Sequence, residues 1–502
     1  MPKSPRFAVA FEGRPGYEMP HESLRFDRIT RVGRCVLVAR PRRDYIPRVF
    51  TNATGSTIPY RLLMPKNYDA KKTYPLVIFL HGAGERGTNN TDQLKHGTSL
   101  FAQPENREKF PCFVFAPQCP KNQFWALPPS LFGPNTPPSG NAMPLALGAL
   151  ADLQKKFSVD PQRLYLTGLS MGGFGTWDCI IRFPKRFAAG APICGGADVK
   201  GITSSVAKVP VWAFHSFDDN AVKVKFTRDL IAAMRAAHGM PKYFEYFGAG
   251  HASWNNAYAE PEFLQWMFAQ RLGKPDTYVL KTKAPELPAV LRFPEASAFP
   301  GKGPLRTTDW FREVLCERRG KFWLDRERDR GAVVFLGDSI TQGWEKRLQK
   351  EFPNIKTANR GISGDVTRGV LYRLKEDVLD LDPKAVVLLI GTNDLEENAD
   401  PSIIAGNIKL ILEACKMPVV VCKVMPSDTS KNRPSYKIQR LNTLVDDIVK
   451  TNPRFIRCDT YSIFADAAGN AKPAEFPDLL HPNADGYTKF AAALRPILDG
   501  LK

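Results

Sequence analysis

Arg163-Leu164-Tyr165-Leu166-Thr167-Gly168-Leu169-Ser170-Met171-Gly172 is an apolar strand pattern that runs into a G-x-S-x-G motif. A helical pattern follows, and that context gives the motif its meaning. The two glycines permit a tight turn that lifts Ser170 above the end of a sheet with its hydroxyl exposed. Outward from this run, PLVIFL (75–80), CFVFAP (112–117), VPVWAF (209–214) and KYFEYF (242–247) are short, apolar and rich in branched or aromatic residues. Helical stretches at 143–156 and 226–238 lie between them. Buried parallel strands with helical crossovers produce this alternation. Residues 40–65 predict antiparallel strands at the front edge.

Acyl transfer at such a serine needs a base, an acid to orient the base, and two N–H donors for the oxyanion. The expected chain order is serine, acid, histidine. Of the histidines after Ser170 in this half, His215 ends a strand pattern and His238 closes a helix. His251 sits in the loop Gly248–Trp254 after the last strand, where a mobile imidazole belongs. The acid should follow VPVWAF, where Asp218 and Asp219 are adjacent. The run His215-Ser-Phe-Asp-Asp219 resembles the H-G-x-x-D pattern of related esterases, which favours Asp219, and Asp218 stays open. Met171 and Ala83 (the latter in His81-Gly82-Ala83-Gly84-Glu85-Arg86-Gly87) are the expected oxyanion donors. Phe124, Trp125 and Trp254 are candidates for an acyl or aromatic pocket.

From 274 to 305 the alternation stops, and Pro275, Pro285, Pro288, Pro294, Pro300 and Pro304 read as a linker. A second alternation follows, with strands expected at 332–337, 384–391, 418–424 and 454–458. Helices are expected at 366–378, 402–416, 434–450 and 484–498. No internal repeat relates the halves. Gly337-Asp338-Ser339 ends the first of these strands. Asn359–Asp365 offers a glycine, Gly361 or Gly364, whose N–H can face an oxyanion, and Gly391–Asp394 offers the Asn393 amide. Asp478 stands three residues before His481, the last histidine of the chain.

Two resemblances follow from these blocks. HGAGERG, GLSMGG and GAGHASW are similar to the carboxylesterase, feruloyl esterase and acetyl xylan esterase group of α/β-hydrolases, across roughly 45–272. That implies a Ser170–Asp219–His251 triad and small acyl esters as substrates. Ser216 replaces a usual glycine, and Lys223 stands where proline often follows the acid. The blocks of the second half resemble the SGNH, or GDSL-type, hydrolases across roughly 306–502. This implies a flavodoxin-like three-layer α/β/α domain with Ser339 as nucleophile, His481 as base and Asp478 as its orienting acid. Ser339 N–H, Gly364 N–H and the Asn393 amide would form the oxyanion hole. The fold class expected is therefore α/β with two domains, 45–273 and 306–502. A basic extension (1–44) precedes them and the 274–305 linker joins them.

Composition fits this reading. The chain has 502 residues, 43% hydrophobic and 24% charged. No apolar stretch approaches the ~18 residues of a membrane span. The formal charge of +19 is concentrated before residue 306, at roughly +16 against about +3 after it. Arg25, Arg28, Arg31, Arg34, Arg40, Arg42 and Arg43 crowd the first fifty residues, yet no nucleic-acid-binding motif accompanies them. Nine cysteines show no C-x-x-C spacing, so buried free thiols are expected, with Cys112 and Cys119 as a conceivable pair. The expectation is a bifunctional serine carbohydrate esterase acting on acetyl and feruloyl esters of plant polysaccharides. The alternatives are a lipid or thioester hydrolase, or one esterase domain beside a binding module. No cofactor, metal, nucleic-acid or membrane partner is expected, and the substrate partner is an esterified polysaccharide or oligosaccharide. The first thirty residues lack the apolar core of a signal peptide. An exported enzyme whose signal is missing here, or a cytoplasmic one, is expected.

Overall fold

Two sheets organise the chain in the computed structural model, which describes residues 44–126, 141–274 and 277–501. The basic arginines from Arg25 to Arg43, the rest of the N-terminal extension before residue 44, and Pro275 lie outside the described residues.

The first sheet has eight strands: β1 (Tyr45–Thr51), β2 (Thr57–Leu63), β3 (Tyr74–Leu80), β4 (Phe113–Pro117), β5 (Val159–Leu169), β6 (Ala189–Ile193), β7 (Trp212–Ser216) and β8 (Lys242–Tyr246). Their spatial order is β1-β2-β4-β3-β5-β6-β7-β8. β1 and β2 form an antiparallel hairpin, β2 joins β4 antiparallel, and all later pairings are parallel. The reading of 40–65 as front-edge strands corresponds to that hairpin. β1 is largely exposed, as an edge strand is, and carries Pro47 and Arg48, which discourage further pairing. β3 is buried along its whole length because helices cover both faces. Its side chains alternate between two cores. Leu76, Ile78 and Leu80 pack with Leu150 and Trp177, whereas Val77 and Phe79 pack with Trp212 and Trp266. Each such burial contributes roughly 1.5–3 kcal/mol.

The second sheet is entirely parallel: β9 (Val333–Gly337), β10 (Thr357–Gly361), β11 (Ala385–Leu389), β12 (Val419–Cys422) and β13 (Phe455–Cys458). Its order β10-β9-β11-β12-β13 is the flavodoxin-like 2-1-3-4-5 arrangement. Two apolar layers again cover its faces, one on Val334, Leu336, Val386 and Leu388, the other on Val333, Phe335, Val387 and Leu389. The chain thus contains two α/β domains, an α/β-hydrolase domain followed by a three-layer domain.

The segment read as a linker is not a free spacer. Glu262 of the first domain accepts the backbone N–H groups of Lys281 and Thr282. Val290, Leu291 and Phe299 are buried. Arg319 donates to the Val290 carbonyl, and Arg368 ties down the carbonyls of Phe299, Pro300 and Gly303. The prolines prevent regular structure but leave carbonyls that arginines can claim. A 21-residue helix, Asp309–Asp329, then leads into β9. It bridges the domains: Glu317 pairs with Lys223 at 3.2 Å, and Gly320 packs against the ring of Phe217.

The eight described cysteines are all free, and seven are buried. Cys112 and Cys119 are therefore unpaired thiols, and burial pushes both up to about 12. Among the described residues no helix is long and apolar enough to cross a membrane.

Candidate active sites

Ser170 follows β5 directly and adopts φ 53°, ψ −117°, a strained conformation for a residue with a side chain. Crowding at the turn explains why glycine flanks it. A Cβ on Gly172 would lie 1.9 Å from the Leu80 carbonyl oxygen, and one on Gly168 would lie 2.4 Å from the Gly172 oxygen. Only bare backbone lets the helix Met171–Arg182 start this close to β3. The turn is braced by the Ser170 N–H, which donates to the Ile193 carbonyl at 3.0 Å.

The loops after β7 and β8 bring the other groups to this edge. Ser170 Oγ lies 2.9 Å from His251 Nε2, and His251 Nδ1 lies 2.8 Å from Asp219 Oδ2. Asp219 has a fully buried side chain. Its Oδ1 accepts the N–H groups of Ala221 and Val222, both at 2.9 Å. Burial pushes this carboxyl up. The hydrogen bonds from His215, His251 and Val222 outweigh that and hold it well below the usual carboxylate range. Asp218, the alternative acid, points elsewhere. It accepts the Ser216 hydroxyl and the N–H groups of Gly248 and Gly250, so it braces the loop that carries His251.

Met171 opens its helix, where the N–H has no intrahelical acceptor, and Ala83 opens the short turn Ala83–Glu85. That turn is fixed by His81. Its Nδ1 bonds the Gly82 carbonyl at 2.7 Å and its Nε2 accepts the Cys119 N–H at 2.9 Å. Burial lowers His81 to about 4, so the ring is neutral and its tautomer set by these two bonds. Trp125 is fully buried and donates to the His81 carbonyl, so it is core and not pocket lining. Trp254 stands edge-on to His251 with ring centroids 5.4 Å apart and does face the site.

The second set gathers at the carboxyl ends of β9, β10, β11 and β13. Ser339 Oγ lies 2.8 Å from His481 Nε2, and His481 Nδ1 lies 2.7 Å from Asp478 Oδ2. The three-residue spacing works through a tight turn. Asp478 Oδ1 accepts the N–H groups of Leu480 and His481, and Leu479 takes φ 62° between them. Burial tends to raise Asp478, but the His481 side chain and these N–H bonds hold it near about 2. This dyad is more open than the first, with Asp478 and His481 side chains 51% and 41% exposed.

Ser339 is the first residue of its helical turn, where the N–H has no intrahelical acceptor, Gly364 has φ 81°, and Asn393 is buried. The Asn393 amide donates one hydrogen to the Asp365 carbonyl at 2.9 Å, which leaves the second for a developing oxyanion. Arg433 sets the amide's orientation. Its Nη2 donates to Asn393 Oδ1 at 3.1 Å, while its Nε holds the Thr392 carbonyl.

Several supporting residues escaped the sequence reading. Asp365 forms a fully buried pair with Arg373 at 2.8 Å, and Arg373 also donates to the Gly337 carbonyl. This couples the Gly364 loop to the nucleophile turn. Asp394 accepts the Thr367 N–H and hydroxyl, and burial raises it to about 6. Asp338 caps the turn through the Ile340 N–H, and burial raises it to about 7. The three acids sat in the motif blocks, but Arg373 and Arg433 had no sequence signal.

Among the described residues one group, Cys194, Asp219 and His251, brings metal-ligand atoms within 4.8 Å of each other. Asp219 and His251 already bond one another, and burial pushes the Cys194 thiol up to about 12, so it is a poor thiolate donor.

Residues 335–489 match the GDSL-like lipase/acylhydrolase family, and residues 140–268 match the dienelactone hydrolase family. The chain is 32% identical over 186 residues to platelet-activating factor acetylhydrolase IB subunit alpha1 of Bos taurus, covering 36% of this chain and 79% of that protein. Its alpha2 counterpart in Homo sapiens is 28% identical over 189 residues, covering 36% and 82%. Among solved structures, a thermostable esterase is 38% identical with a TM-score of 0.43, covering 46% of this chain and 64% of that one. The chain therefore spans less than two thirds of that esterase. The two family matches make this a two-domain esterase or acylhydrolase. Its C-terminal domain belongs to the GDSL-like lipase/acylhydrolase family, and its N-terminal domain is a dienelactone hydrolase-type α/β-hydrolase.

Proposed function

We propose that the chain is a bifunctional serine carbohydrate esterase with two independent active sites, removing acetyl and feruloyl groups from plant polysaccharides such as xylan. The observation that carries this reading is the duplication of a complete relay. Each serine hydroxyl lies within 2.9 Å of its own histidine, and each histidine within 2.8 Å of its own aspartate. In each site the histidine takes the serine proton as the hydroxyl attacks the ester carbonyl. The N–H donors hold the tetrahedral oxyanion, and the alcohol leaves with the proton from histidine. Water then repeats the sequence on the acyl-enzyme and releases the acid.

The acetyl group is assigned to the second site, in keeping with the acetylhydrolase name of its bovine relative. The first site takes acetyl or hydroxycinnamoyl esters, for which Trp254 beside His251 offers an aromatic wall. The same relative's name supports a second reading, an acetylated lipid at Ser339. The experiment is release of acetate and ferulate from acetylated, feruloylated arabinoxylan by wild type, Ser170→Ala and Ser339→Ala. Loss of a different product in each variant supports the proposal. Activity confined to lipid or thioester substrates overturns it, and an unchanged Ser339→Ala profile on every ester makes the second domain a binding module.

A further inference from the structure

Beside Ser339 and His481 lies an open depression of about 810 Å³ whose wall carries Glu345, Lys346, Arg347, Lys350 and Glu351. The two acids are already neutralised. Glu345 pairs with Arg318 and Lys321, and Glu351 pairs with Arg495. Among the described residues, Lys346, Arg347 and Lys350 have no carboxylate partner; the Arg347 guanidinium lies over the Tyr487 ring, 5.8 Å from its centroid. The wall therefore presents net positive charge directly beside the nucleophile. A cleft lined by one sign of charge concentrates the opposite charge within a Debye length, about 8–10 Å at ordinary ionic strength.

A second feature marks the oxyanion side of the same site. Trp310, on the bridging helix, is 55% exposed, and its ring covers Gly364 so closely that a Cβ there would meet Trp310 Cζ3 at 2.9 Å. Ser363, the neighbour of Gly364, lines the depression. Arg306 Nη1 also lies over Gly364, 3.1 Å from the same position, so an exposed indole and a guanidinium flank this candidate oxyanion donor and offer a flat face to the C–H side of a sugar ring.

We infer that the second site takes esters on an anionic polysaccharide, with the sugar stacked on Trp310 and a nearby carboxylate held by Lys346, Arg347 and Lys350. This inference rests on the carbohydrate reading above and adds the charge of the polymer to it.

The test uses full-length Ser170→Ala protein, so that only Ser339 turns over. Its probes are acetylated xylo-oligosaccharides with and without glucuronic acid branches, matched in length and acetyl content. At low salt kcat/KM should be about tenfold or more higher on the acidic set, through KM, and this advantage should shrink at 0.3 M NaCl as screening predicts. Lys346→Glu/Lys350→Glu should bring the acidic-to-neutral ratio close to one. Trp310→Ala should lower kcat/KM on both sets without changing their ratio. Equal kcat/KM on the two sets, or charge reversal acting equally on both, overturns the inference while leaving the carbohydrate reading intact. Acetate release from neither set, with turnover only on vesicles of acetylated anionic phospholipid, overturns both.

Discussion

Replacing Asp219 with asparagine should cost the first site about 10⁴-fold in kcat. The carboxylate is fully buried and makes one bond that matters for proton transfer, 2.8 Å to His251 Nδ1. Its other oxygen is occupied by the N–H groups of Ala221 and Val222. Asparagine fits the same space, but its amide then presents an N–H to Nδ1. That favours the tautomer with hydrogen on Nε2, which cannot take the Ser170 proton. A tautomer error of this kind costs about 10⁴ in other Ser-His-Asp enzymes, or about 5.4 kcal/mol of barrier. The assay is single-turnover hydrolysis of an aryl acetate in a Ser339→Ala background, with Asp218→Asn as the comparison. Asp218 only braces the loop through Gly248 and Gly250, so its variant should lose less than about tenfold. Retention of more than about a tenth of the activity by Asp219→Asn, together with a loss of about a thousandfold in Asp218→Asn, would refute this role for Asp219.

Other perturbations give separable results. Gly172→Ala places a methyl 1.9 Å from the Leu80 oxygen. It should destabilise the first domain by about 3 kcal/mol or more, abolishing hydrolysis at Ser170 while Ser339 still reacts with an organophosphate. Arg433→Met frees the Asn393 amide to rotate and should lower kcat at the second site about 10- to 100-fold with KM little changed, as measured by initial rates. Asp478 has a folded pKa below its ordinary value, so its stabilisation is full above about 3.8 and is lost as pH falls through about 2. The shift sets an upper bound of about 2.4 kcal/mol, and exposure of half the side chain screens it below about 1 kcal/mol. The difference in urea midpoint between wild type and Asp478→Asn should therefore be small at pH 7 and fade as pH falls through about 2.

What the sequence made legible is what local chemistry dictates. Ser170 and Ser339 were legible as candidates because a nucleophile at a strand end needs small neighbours on a sharp turn. His251 and His481 were found because histidine is scarce in this chain and each half has one in the right loop. The choice between Asp218 and Asp219 needed coordinates, since adjacent acids differ only in which loop atoms they face. β6 (AGAPI) and β10 (TANRG) were missed because neither shows strand propensity; their neighbours in the sheet impose the conformation. The helix Asp309–Asp329 was missed because arginines occupy buried positions. Arg318 and Arg319 are inside, paired with Glu345 and Asp377, so apolar periodicity is broken where the helix packs. Similar long-range contacts hold the described residues 277–305, where Arg319 and Arg368 claim backbone carbonyls and Val290, Leu291 and Phe299 are buried.

That both serines act as nucleophiles in one chain is directly testable. Intact-mass spectrometry after saturation with a small fluorophosphonate tests it most directly. Wild type should carry two adducts per chain, Ser170→Ala and Ser339→Ala one each, and the double variant none. A single adduct on wild type, lost completely in one of the two serine variants, would contradict it.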